Sequence, residues 1–343
     1  MRITQSMLTR NYLKSLNNNL SNLAKSNNKL TSGRKFTRMS ENVSDGSRAL
    51  KIREQLYKNE QHLINIRDAE AELSSAESNL LSMNDILQKV QEKVIAGLSD
   101  TSSDSKREVL AQEVSSLKEQ ILQFANAQFA DKFLFSGSNN ATPPFTADAD
   151  GKLLYNGRPV DDIYKKDGEY FYDNAGVETP IPQNEDVYID IGLGIQFSGG
   201  KVDPTSAFKV SFSGLDVLGF GKNAEGFPNN LYNLLNDIEN ALKPPEKEAY
   251  DGDKLGSMLN HLKEQNDMLM TNITDIGTRV GFLEKTGERL DSDIANLTEL
   301  RSNIEAVDDA TESMNMKMYE YAWMVTLQFG SKILPQSLMD FLR

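Results

Sequence analysis

Residues 255–297 read LGSMLNHLKEQNDMLMTNITDIGTRVGFLEKTGERLDSDIANL. Leu255, Leu259, Leu262, Leu269, Ile273, Ile276, Val280, Leu283, Leu290, Ile294, Leu297 and Ile304 recur at alternating steps of four and three, interrupted at Asn266, Gly287 and Arg301. That spacing is the a/d seam of a coiled coil. After Leu300 the phase slips by a stutter and resumes through Val307, Met314, Met318, Tyr321 and Val325. The periodicity therefore predicts one continuous rod over 255–325, rewound locally at the stutter. A narrow apolar stripe of this length needs partners, since isolated helices gain most of their stability from the face they bury.

The partners lie upstream. Leu73, Ala76, Leu80, Met83, Leu87, Val90 and Val94 form a second unbroken seam, and Leu110, Val114, Leu117, Ile121 and Phe124 a third. Between them, the Ser-, Asp- and Thr-rich run 97–105 predicts a turn, with Asp104 as N-cap of the second helix. The pair reads as a helical hairpin. At the N-terminus, Leu13, Leu16, Leu20, Leu23 and Leu30 carry a weaker heptad diluted by Asn17, Asn18, Asn19, Asn22, Asn27 and Asn28. Asparagine is a poor helix former, so this helix depends on docking. Gly33 is its expected stop.

Of the 10 prolines, Pro335 alone lies outside the interval from Pro143 to Pro245. The middle is thus a different kind of structure. The turn pairs Asn156-Gly157 and Asp167-Gly168 separate short β-prone runs, and residues alternate at Val187, Ile189 and Ile191 and at Phe208, Val210 and Phe212. One short helix, carrying Leu231, Leu234, Leu235, Ile238 and Leu242, precedes the return to the rod. The expected fold is mainly α: a long coiled-coil helical bundle formed by the N- and C-terminal regions, with an inserted small β domain.

A formal net charge of -13 opposes binding to nucleic acid or anionic membrane. The absence of cysteine excludes disulfides and thiolate chemistry. Asp148, Asp150 and Gly151 imitate a calcium loop, but Thr146 and Gly157 stand where its end carboxylates belong, so a hairpin turn is the better reading. Gly192, Gly194 and Gly199 miss the dinucleotide spacing at Phe197. His62 and His261 have no serine–carboxylate partners in sequence. No catalytic residue, metal ligand or cofactor is expected, and the chain reads as no enzyme. The run Met314, Met316, Met318, Trp323 and Met324 reads as packing against a partner helix, because Met fills irregular apolar gaps.

Two motif groups carry a resemblance. Leu30-Thr31-Ser32-Gly33-Arg34-Lys35 followed by Ser47-Arg48-Ala49-Leu50 resembles the N-terminal signature of bacterial flagellins and their junction relatives, with Glu41-Asn42-Val43 in place of that family's Asp-Asp-Pro. Ile304-Glu305, Val307-Asp308 and Ala310 are similar to the matching C-terminal signature. Phe133-Leu134-Phe135-Ser136-Gly137, Pro144-Phe145 and the tail Ser337-Leu338-Met339-Asp340-Phe341-Leu342 resemble the junction members.

The resemblance implies three parts: an inner assembly domain (1–40 with 306–343), a helical rod domain (41–140 with 229–305) and an outer β domain (141–228). It implies an assembly seam of Leu13, Leu16, Leu20, Leu23, Leu30, Val307, Met314, Met318, Tyr321 and Val325. Rod packing falls to Leu73, Leu80, Leu87, Val94, Ile121, Phe124, Leu262, Leu269, Ile276, Leu283, Leu290 and Leu297. The implied function is an extracellular adaptor ring, transmitting torque between hook-associated protein 1 and the flagellin filament. The implied partners are itself, those two proteins and a flagellar export chaperone, with type III export and no cleaved signal peptide. A minor filament flagellin is the alternative. A surface adhesin using Tyr155, Tyr164, Tyr170, Phe171 and Tyr172 is another.

Overall fold

A computed structural model describes residues 5–99, 103–137, 142–148, 151–166, 169–174, 177–181, 186–203, 205–244 and 250–333. Among them are seven α-helices: α1 (Gln5–Ser32), α2 (Val43–Leu98), α3 (Asp104–Ala125), α4 (Gly214–Leu218), α5 (Leu231–Leu242), α6 (Gly252–Glu305) and α7 (Asp309–Ile333). Contacts divide the chain into two compact units, Met1–Glu60 with Asp291–Arg343, and Gln61–Leu290. Asp167, Gly168, Asp150 and the tail 337–342 lie outside the described residues.

In the unit 61–290 the expected seams are the core. Leu73, Leu80, Leu87, Val94, Ile121, Leu262, Leu269, Ile276, Leu283 and Leu290 are buried, and Phe124 is half-buried. Leu297, in the other unit, is half-buried. The helices α2 and α6 run antiparallel: Gly287 stands against Ile66 and Leu63, and Gly277 against Glu77. The Lys93–Glu113 ion pair, 2.6 Å, and the packing of Gly97 beside Leu110 set α3 antiparallel to α2. Ser103, not Asp104, is the N-cap of α3, its Oγ accepting from the Lys106 N–H. Asp104 falls one residue later, in the acidic first turn that the helix dipole favours.

Helix α5 is a full member of this unit. Its Asn230 cap accepts from Tyr232 and Asn233 N–H groups, and its apolar face is buried. Buried Lys118 of α3 donates to Asn236 Oδ1 and Glu239 Oε2, both at 2.8 Å, beneath the Tyr232 ring. Tyr232 donates to Glu119 Oε1 at 3.0 Å, and burial pushes its hydroxyl up to about 12.

The proline-rich middle forms small antiparallel sheets. Phe145–Ala147, Leu153–Tyr155 and Arg158–Pro159 make one three-stranded sheet, and Ile163–Lys166, Glu169–Asn174 and Val177–Pro180 another. Three two-stranded ladders complete the described sheet structure. Asn156 and Gly157 both adopt positive φ, 50° and 78°, the two-residue hairpin turn expected of that pair. Asn126, which ends α3, clamps the Phe145 backbone in both directions: its Nδ2 donates to the carbonyl at 2.8 Å and its Oδ1 accepts the N–H at 3.0 Å. Asn233 of α5 accepts from the Leu153 N–H and donates to Asp161. Such bonds place the sheets in the same unit as the central helices, although the composition changes sharply at the prolines.

The other unit corrects the expectation of one unbroken rod over 255–325. α6 stops at Glu305 and α7 starts at Asp309. Between them the backbone leaves the helix for a short ladder: Lys35 N–H donates to the Glu305 carbonyl at 2.7 Å, Val307 N–H donates to the Gly33 carbonyl at 3.0 Å, and Arg34 pairs with Ala306. Gly33, with φ 66°, turns the chain out of α1 into this ladder. Asp308 then caps α7, its Oδ1 accepting from the Ala310 and Thr311 N–H groups and its Oδ2 from the Thr311 hydroxyl. Those bonds hold the Asp308 carboxyl below its usual range. The phase slip in the sequence is thus resolved by a capped break and not by local rewinding.

Candidate assembly interface

Terminal helices α1 and α7 pack antiparallel. Ser26 Oγ donates to Glu312 Oε1 at 2.7 Å, Asn19 Nδ2 donates to Thr326 Oγ1 at 2.8 Å, and Gly330 lies against the Tyr12 hydroxyl end. Lys29 adds a 3.8 Å ion pair to Glu312, which is nearly buried. On α1 the inward positions are therefore Tyr12, Leu16, Asn19, Leu23, Ser26 and Leu30, at steps of four and three, all half-buried except Ser26, which is buried. On α7 the matching positions are Glu312, Met316, Tyr319, Trp323, Thr326 and Gly330. This seam alternates leucine with polar side chains, which makes it a weak apolar contact held in register by hydrogen bonds.

The ten seam residues separate into two groups. Leu16, Leu23 and Leu30 lie in the α1–α7 contact, and Val307 and Val325 are half-buried. Met314, Met318 and Tyr321 are 71%, 57% and 67% exposed. At 100° per residue they sit on the face of α7 opposite Glu312, Thr326 and Gly330. Leu13 and Leu20 are exposed on the flank of α1. Phe329, Met324 and Leu327 extend the exposed apolar surface of α7.

A further row was not singled out from the sequence. Val43, Leu50 and Tyr57 of α2 are exposed at every seventh residue, the last two each one position after the buried Ala49 and Leu56. Its heptad spacing was legible in principle, but a single apolar position per heptad is a faint signal beside a full a/d seam. Exposed apolar rows on three helices of one unit are the kind of surface that marks a candidate site of contact with another protein.

Chemistry of other kinds finds no setting. His261 is buried between Glu264 Oε2 and the Pro228 carbonyl, each at 3.2 Å, and His62 lies 3.7 Å from Asp190. Asp148 accepts from the Lys152 N–H, as a hairpin turn requires. Among the described residues no group of His, Cys, Asp or Glu is arranged to hold a metal ion, and no helix is long and apolar enough to cross a membrane. Of the five middle aromatics, Tyr155 and Tyr170 are buried. Burial pushes the Tyr155 hydroxyl up to about 12 and raises that of Tyr170 as well. Tyr164 and Phe171 stack on each other at 6.0 Å.

Residues 3–140 match the bacterial flagellin N-terminal helical region, so the N-terminal part of this mainly α chain is similar to the flagellin class of proteins. Within that class the chain resembles flagellar hook-associated protein 3: it is 24% identical to that of Escherichia coli (strain K12) over 147 residues, 43% of this chain and 46% of the relative. To the flagellin of Clostridium tyrobutyricum it is 27% identical over 139 residues, 40% of this chain and 37% of that one. The matched stretch thus spans less than half the length of these curated relatives. A solved structure titled for a flagellar hook-associated protein of Vibrio parahaemolyticus superposes with a TM-score of 0.59 at 16% identity, covering 78% of this chain and 100% of that one, and shares the fold.

Proposed function

We propose that this chain is a structural subunit of the bacterial flagellum, forming an adaptor ring that joins hook-associated protein 1 to the flagellin filament and transmits torque by helix packing. The observation that carries this reading is the two-faced α7. Its inner face holds α1 through a polar-lined seam, and its outer face leaves Met314, Met318 and Tyr321 uncovered. An exposed apolar row costs solubility unless neighbouring subunits bury it. The similarity to hook-associated protein 3 supports a flagellar location. Partners in this reading are further copies of the chain, hook-associated protein 1, flagellin and an export chaperone. The chaperone would shield the α7 row before export through the flagellar type III channel.

The α1–α7 pair is marginal in the free monomer and completes its folding on assembly, because ordering costs of ~1 to 2 kcal/mol per residue exceed what a half-buried, asparagine-diluted seam returns. Strong hydrogen-exchange protection of 5–32 and 309–333 in dilute monomer would count against this. Leu16→Asp with Leu23→Asp should block incorporation while leaving the unit 61–290 folded. Immunogold labelling of intact flagella tests the whole reading: a band at the hook end supports a junction subunit. Labelling along the filament supports the minor flagellin, which the Clostridium similarity favours. Absence from the flagellum refutes both.

A further inference from the structure

An opening of about 400 Å³ lies where α1, the ladder 33–35 and the end of α6 meet, lined by Ser32, Arg34, Arg53, Thr298, Arg301 and Glu305, among others. Three guanidinium groups thus surround one carboxylate. Arg53 is committed to that carboxylate, its Nη2 lying 2.7 Å from Glu305 Oε2. Among the described residues Arg34 and Arg301 have no ion-pair or hydrogen-bond partner for their guanidinium groups. The Thr298 and Ser302 hydroxyls line the same opening as further donors. The frame is fixed: Lys35 N–H to Glu305 O, Val307 N–H to Gly33 O and Lys35 Nζ to the Asn303 carbonyl hold both walls.

Two uncommitted arginines and two hydroxyls that can donate outweigh the one unpaired acceptor of the opening, the buried Glu305 Oε1, and match one kind of guest. Guanidinium forks bind carboxylates in pairs of parallel hydrogen bonds, and the preorganised fork loses little freedom in doing so. The opening carries a surplus of two positive charges on a chain of net charge -13. Copies of such a chain repel one another, and a basic recess is where an acidic neighbour can approach with gain. We infer that this recess receives a carboxylate side chain from a second copy of the chain, fixing the register of adjacent subunits. The inference rests on the assembly reading above and names the chemistry of one of its contacts.

The test uses the full chain. A photo-cross-linking amino acid at position 302, in cells whose own copy is deleted, should give an adduct of two copies in isolated flagella. An adduct with a different protein overturns the inference. Arg34→Glu with Arg301→Glu should lower the protein incorporated at the flagellum at least tenfold. Arg34→Ala with Arg301→Ala, which adds no acid beside Glu305, should lower it severalfold, with the melting curve of the purified monomer unmoved in both. Wild-type incorporation by both variants overturns the inference while leaving the assembly reading intact, whereas unmodified protein missing from the flagellum overturns the assembly reading itself. Titration with inorganic phosphate separates a free-anion site. Phosphate binding lost in the alanine variant, with incorporation unchanged, also overturns the proposal.

Discussion

Replacing Lys118 by Met isolates the bond that secures α5 to the bundle. The Lys118 side chain is 8% exposed and bonds Asn236 and Glu239 at 2.8 Å, and the Glu239 side chain is 28% exposed. Methionine refills the stem volume, so the loss is almost wholly electrostatic. Two bonds to a charged donor disappear, and a partly buried carboxylate is left with no cation. Removing one partner of a fully buried pair costs about 3 to 5 kcal/mol. Because Glu239 keeps some water, the lower end applies, about 3 kcal/mol. For a unit of this size that lowers the melting temperature by roughly 6 to 12 °C. Circular dichroism melts and guanidinium titrations of the full chain would measure it. Glu239→Gln in the Lys118→Met background should then cost almost nothing, since the orphaned charge is what destabilises. A loss below ~0.5 kcal/mol for Lys118→Met, or simple additivity of the two changes, would refute the coupling.

Other outcomes follow from the same geometry. Gly219→Ala should destabilise by about 2 kcal/mol or more, because φ is 83° and the new Cβ would collide with the Asn229 carbonyl. Chemical denaturation reads it. Burial, with Asp161 nearby, raises the Asp237 carboxyl above its usual range. A carboxyl whose folded value is raised holds its proton longer in the native state, so stability falls as pH rises through the interval between the unfolded and folded values. Asp237→Asn should therefore raise stability at pH 7, leave it nearly unchanged below pH 4, and flatten urea midpoints between. Met318→Asp with Tyr321→Asp should leave the monomer melt within ~0.5 kcal/mol, because both side chains are exposed, yet reduce incorporation at the flagellum in a motility and labelling assay.

The buried seams of the unit 61–290 were legible because period alone settles them. Leu73 to Val94 and Leu262 to Leu290 have apolar residues at nearly every a and d position, and the only face that could be buried is the one that is. The hairpin turn at Asn156-Gly157 was legible for a local reason, the positive φ that both residues tolerate. What sequence missed is non-local. Lys118 looks like any surface lysine until Glu239 and Asn236, over a hundred residues away, arrive beside it. Arg53 meets Glu305 only because the chain returns antiparallel. The break at 306–308 was hidden because Val307 already belongs to the resumed phase that Met314 and Tyr321 continue, although Asp308 with Thr311 three residues on is a capping signal that could have been found.

Helix α7 shows why the terminal pair resisted a periodicity reading. Two rows with the same four-three spacing run along it: Met314, Met318, Tyr321 and Val325, and, half a turn away, Glu312, Met316, Tyr319, Trp323, Thr326 and Gly330. A hydrophobic count picks the first row, yet the second is the one that faces α1. The choice is made by fit: Asn19 reaches Thr326, Ser26 reaches Glu312, and Tyr12 occupies the space that a side chain at Gly330 would need. A pair joined through polar side chains tolerates water during opening better than a leucine seam does, since each group can be hydrated when the helices part. In the assembly reading that is a useful property. A chain exported unfolded, as that reading proposes, would close late, with the apolar row of α7 left for contacts between subunits instead of being spent inside one.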